Sequence, residues 1–152
     1  MGLTLSFITT DSSTIILDAL KNDDYDLFED NIIKEADFSL HLKPIDLQIL
    51  SLCASEFNAS PSLNLRKQMT PLLDQNDKGL FSIDSKWICY MSAVPIEKSK
   101  ILCARWVEEI NRKYPKEKMM LTEDAIEAVE NLISICQFCI NNKKKLFHYW
   151  LL

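Results

Sequence analysis

Two glycines in 152 residues, Gly2 and Gly79, are too few and too far apart to build a phosphate cradle of the P-loop or G-x-G-x-x-G kind. The same scarcity excludes a G-x-S-x-G nucleophile turn, and two histidines 107 positions apart, His41 and His148, exclude an H-E-x-x-H metal motif. Long apolar runs are missing too. The longest helical stretch without a charge, Asn131 to Asn142, has 12 residues, against about 18 or more needed to cross a bilayer. Met1 to Thr10 holds no Lys or Arg ahead of its apolar residues and no small-residue cleavage site follows, so the chain is expected to be mature protein without a signal peptide. The cysteines are five, an odd number at irregular spacings, which does not make a secreted disulfide framework and suits the reducing cytoplasm.

What is present describes an ordinary core. With 47% hydrophobic residues, 26% charged and only five prolines, the chain is neither low-complexity nor broadly disordered. A chain this long buries about 68–70% of its unfolded surface, enough for one core without crosslinks. The expected fold is therefore α+β, a single domain over 1–152, with a small mixed or antiparallel sheet packed with four to five helices largely on one side.

Period-2 alternation of Leu3, Leu5 and Phe7 predicts a strand to Thr9, followed by a helix to Leu20 that Asp11, Ser12 or Ser13 caps. Leu27, Phe28, Ile32 and Ile33 predict an acidic surface helix within 23–36, and Phe38, Leu40 and Leu42 predict a strand over 37–43. Pro44 opens the next helix, toward Phe57. Residues 59–78 look like loop, ended by Gly79, and Leu80 to Ile83 like a short strand before a brief helix that Asp84 caps. A helix from Pro95 carries Cys103, Trp106, Val107 and Ile110 on one face and stops at Pro115. Thr122 caps a long helix with Ala125, Val129, Leu132, Cys136 and Cys139 on its buried face. Leu146 to Leu152, uncharged and with three aromatics, predicts a strand buried on both faces.

Several patterns resemble sites without having the required surroundings. Cys136 and Cys139 have C-x-x-C spacing, but they fall near a helix C-terminus, where the dipole raises rather than lowers a thiol pKa, and no second close pair completes a zinc site. They are expected to be buried thiols, with neither metal nor cofactor. Met1 to Ser6 matches M-G-x-x-x-[ST], yet the following residues are acidic and supply no polybasic partner for a myristoyl anchor. From Glu97 to Lys118, seven bases (Lys98, Lys100, Arg105, Arg112, Lys113, Lys116, Lys118) alternate with four acids, and Lys143 to Lys145 form a second basic cluster. In a chain of net charge −5 this predicts a solvated helix face rather than a nucleic-acid surface.

The uneven feature is acidic. Residues 1–37 hold nine carboxylates against Lys21 and Lys34, a net −7, whereas residues 38–152 are net +2. At the centre are Asp23, Asp24, Tyr25, Asp26, Glu29 and Asp30, carboxylates around an aromatic, expected to form a docking surface for a basic protein partner. By analogy of type, the expected function is that of a non-enzymatic inhibitor, such as a bacterial immunity protein that neutralises a basic toxin, in the cytoplasm. Two other readings remain open: a small enzyme using His41 or His148 with a carboxylate, and an accessory subunit that pairs through its C-terminal strand.

Overall fold

The uncharged run at Leu146–Leu151 becomes the middle strand of the sheet, where both its faces and both its edges are covered. The computed structural model describes residues 3–152. Its five strands, β1 (Thr4–Thr9), β2 (Lys34–Asp37), β3 (Met69–Asp74), β4 (Lys78–Ile83) and β5 (Leu146–Leu151), stand in the order β2-β1-β5-β4-β3, every neighbouring pair antiparallel. β5 is hydrogen-bonded to β1 on one side and β4 on the other, so it has no free edge. The reading of an accessory subunit pairing through this strand is corrected on that ground.

Among the described residues seven α-helices surround the sheet: α1 (Ser13–Lys21), α2 (Tyr25–Asp30), α3 (Pro44–Cys53), α4 (Ser55–Asn58), α5 (Ser85–Ser92), α6 (Ser99–Lys113) and α7 (Glu123–Asn142). The number exceeds the four to five expected, partly because the helix from Pro44 is divided at Ala54, leaving the single turn α4. Helices α3 to α7 close over one face of the sheet, burying Leu5, Phe7, Trp87, Trp106, Leu132 and Cys136 in the larger core. α1 and α2 cover the opposite face, where Ile16, Leu20 and Phe28 meet Ile8, Leu80, Phe147 and Tyr149. Both faces are thus occupied, although most helical mass is on one side.

Local chemistry explains most element ends. Thr122 accepts the Ala125 N–H at 3.1 Å and starts α7, while Lys143, in the left-handed region at φ 54°, ends it. Asp84 caps α5 through the Lys86 N–H at 2.8 Å, as expected. At α1 the expected side-chain cap is not made. Thr10 Oγ1 instead accepts the Ser12 N–H at 3.1 Å, an ST turn just before the helix.

Three segments differ from expectation. The acidic helix is only Tyr25–Asp30, because Asn31 closes it and its Nδ2 donates back to the Leu27 carbonyl at 2.8 Å. The strand expected over 37–43 lies earlier, at Lys34–Asp37. An Asx turn, Ser39 N–H to Asp37 Oδ1 at 2.8 Å, ends it, so Phe38 and Leu42 reach the core from a loop rather than a strand face. Within the expected loop 59–78 lies β3, an edge strand. Pro71 is tolerated there because an edge needs no inward N–H on its open side, and the register shifts between Pro71 and Leu73. Gly79 sits inside β4 rather than at a turn: the Trp150 indole covers it so closely that an added Cβ would approach Trp150 Nε1 to 2.2 Å.

Candidate functional site

Phe28 anchors α2. Its ring is buried against the Tyr149 ring edge-on, 4.9 Å between centroids, which fixes how the rest of the helix faces solvent. With Phe28 inward, Tyr25 and Leu27 remain 43% and 42% exposed on the two flanks of the helix, and Asp26, Glu29 and Asp30 are exposed on its outward face. The six residues singled out from the sequence are therefore brought together at α2 and its entrance, but two of them also serve the fold.

Asp24 is the N-cap, accepting the Leu27 N–H at 3.2 Å. Asp23 has φ 56°, a left-handed conformation that Asp adopts more readily than most residues. Its carboxylate accepts from Lys78 Nζ at 2.6 Å and from the Tyr25 hydroxyl at 3.0 Å. These two bonds, the lysine's first, hold the Asp23 carboxyl below its usual range. The bond to Asp23 raises the Lys78 ammonium, and the Tyr25 hydroxyl is raised chiefly by the same carboxylate. Asp26, Glu29 and Asp30 enter no ion pair among the described residues. Glu29 and Asp30 also occupy the last turn of a helix that carries no base there, where the dipole disfavours negative charge.

The other candidates are separated by the fold. His41 is exposed in the loop before α3, at φ 60°, whereas His148 is buried in β5. Neither is hydrogen-bonded to a carboxylate among the described residues, His148 pairing with a backbone oxygen instead. Cys136 and Cys139 are buried on α7, and burial raises both thiols. Among the described residues no cluster of three or more His, Cys, Asp or Glu side chains could hold a metal ion. Three residues of the basic clusters are paired in place: Arg105 bridges Glu56 and Glu109, Arg112 meets Glu109 at 2.7 Å, and Lys144 pairs with Asp11, whereas Lys98, Lys100, Lys113, Lys116 and Lys118 enter no ion pair among the described residues. The lipidation pattern begins at Met1 and Gly2, which lie outside the described residues.

No family model, curated protein or solved structure matches this chain.

A groove of about 430 Å³, absent from the sequence reading, opens on the sheet face that carries His148. Pro44, Ile45 and Gln48 of α3 and the 3-10 turn Leu65–Gln68 form one wall, and Met69, Pro71, Phe81 and Trp150 line the sheet side. These residues are scattered over four segments, and no local spacing marks them. The available signal was a histidine inside an otherwise apolar strand. No helix among the described residues is long and apolar enough to cross a membrane.

Proposed function

We propose that the protein is a non-enzymatic binding module that engages a basic protein partner through the outer face of α2, as an inhibitor or immunity-type protein would engage a basic toxin. The observation that carries this reading is that, on a helix pinned from beneath by Phe28, Asp26, Glu29 and Asp30 face outward with no ion pair among the described residues while Tyr25 and Leu27 are exposed on the two flanks. Unpaired charge on the outward face, with an aromatic and an apolar side chain exposed on its flanks, suits a protein contact, the charge steering encounter and the ring giving contact area. Two of the acids are placed against the helix dipole, so their position has no evident value to the helix itself.

Affinity chromatography on wild-type protein and on the D26K/E29K/D30K variant tests the proposal. These three positions avoid the cap and the Lys78 pair, so the variant should melt like the wild type. The expected result is a stoichiometric basic protein that the wild type retains and whose activity it inhibits. Association with the variant should be slower by about tenfold or more at low salt, the difference shrinking as salt screens the field. Equal association rates for both forms at low ionic strength would overturn the reading.

A further inference from the structure

His148 is 3% exposed, and its ring is held between Phe7, 4.9 Å away, and Phe81, 6.3 Å away, centroid to centroid. Its Nδ1 lies 2.9 Å from the Ser6 carbonyl oxygen. A carbonyl can only accept, so the proton belongs on Nδ1 and Nε2 presents a bare lone pair. Burial lowers the imidazole to about pKa 4, which keeps the ring neutral at physiological pH. Nε2 has no hydrogen-bond partner among the described residues, and His148 is part of the groove lining. The groove thus contains a fixed, neutral acceptor that its own protein leaves unused.

The rest of the lining restricts what would meet it. About 430 Å³ falls in the range of small-molecule sites. Phe81, Trp150, Met69 and Pro71 offer flat and apolar surface, suited to an aromatic ring. Two ionised side chains also line the groove, Arg66 and Asp74, and neither is in an ion pair among the described residues. They stand at opposite ends. Arg66 precedes β3, close in sequence to Met69, whereas Asp74 pairs with Gly79, and Gly79 with Trp150. Phe81 and His148 pair between those ends, so a ligand anchored at His148 meets a cation in one direction and a carboxylate in the other.

We propose that this groove binds a small aromatic carboxylate, with a ring N–H or O–H donating to His148 Nε2 and the carboxylate turned toward Arg66 and away from Asp74. The site is on the opposite face of the sheet from α2 and does not depend on the partner proposed there.

Calorimetric titration with indole-3-propionate, naphthalene-1-propionate and indole-3-propanamide tests the proposal on the wild type, H148F and R66Q. The wild type should bind indole-3-propionate about tenfold more tightly than the naphthalene compound, which lacks the donor, and more tightly than the amide, which lacks the charge. H148F should remove the first preference and R66Q, at an exposed position, the second. If H148F fails to fold, the ¹⁵N resonance of His148 Nε2 in the wild type decides: it should shift on saturation with indole-3-propionate and stay in place with the naphthalene compound. No binding of indole-3-propionate at millimolar concentration, equal affinities for the two carboxylates, or a stationary Nε2 resonance would each overturn the assignment.

Discussion

Lys78 Nζ lies 2.6 Å from the Asp23 carboxylate and 2.8 Å from the Leu20 carbonyl oxygen, and of the two charged groups only the lysine is buried. The contact joins the start of β4 to the turn between α1 and α2, so it holds the acidic helix in place while cancelling part of its charge.

Asp23→Asn should therefore lower the melting temperature clearly more than Asp26→Asn, because it deprives a buried ammonium of its counter-charge whereas Asp26 has no such partner. The Asp23 carboxyl is held low in the fold, so its contribution is complete above its ordinary value near 3.8 and is lost as pH falls through the folded value. Thermal melts of both variants at pH 7 test this. Equal losses would show that solvent replaces the carboxylate at Lys78.

His148 predicts a separate pH dependence. Its folded value of about 4 lies below the unfolded 6.5, so the unfolded chain takes up the proton first as the solution is acidified. Stability is complete above about 6.5 and is lost as pH falls toward the folded value. Between pH 7 and pH 5 the loss should be about 2 kcal/mol. Urea titrations at the two pH values, on the wild type and on H148F, measure it, and the variant should lose most of this slope.

Gly79→Ala should destabilise by about 1–3 kcal/mol, because the new Cβ would approach the Trp150 indole to 2.2 Å at Nε1 and 2.8 Å at Cε2. Either the indole swings out or β4 shifts. Trp87 and Trp106 are almost fully buried, so a red shift in tryptophan emission would report the movement of Trp150.

Among the thiols only Cys89 is exposed, while Cys53, Cys103, Cys136 and Cys139 are buried. Burial pushes Cys53 and Cys103 up to about 11 and raises Cys136 and Cys139 as well. Alkylation of native protein near neutral pH should modify one cysteine quickly, and five after denaturation, counted by intact-mass spectrometry. Fast labelling of Cys136 or Cys139 would show that α7 opens readily.

What the sequence revealed of this fold follows the strength of local signals. Thr122 and the buried face from Ala125 to Cys139 announce α7, and seven uncharged residues announce β5, because periodicity and burial agree there. β3 was not visible: it is an open edge with Pro71 and few buried side chains, so neither alternation nor hydrophobicity marks it. Phe38, Leu40 and Leu42 alternate as a strand would, yet they enter the core from turns, a pattern that spacing cannot separate from a strand. At the acidic patch the carboxylates were legible as a cluster, but the partner of Asp23 is 55 residues away. The groove was less accessible still, since His148 acquires its meaning only from Phe7, Phe81 and Ser6 on neighbouring strands.

The position of β5 also bears on how the molecule is made. The strand that separates β1 from β4 follows every other element in chain order, so during synthesis the ribbons β1–β2 and β3–β4 exist before anything can join them. Until residues 146–151 emerge, the nascent chain carries Phe7 and Phe81 on unpaired edges with no His148 between them. Such edges invite pairing with other chains, and closing a sheet between residues more than 130 positions apart is intrinsically slow. A chain ending just short of Leu146 would thus hold every helix-forming segment while its sheet stands in two halves, the form in which its open edges are most available to other chains.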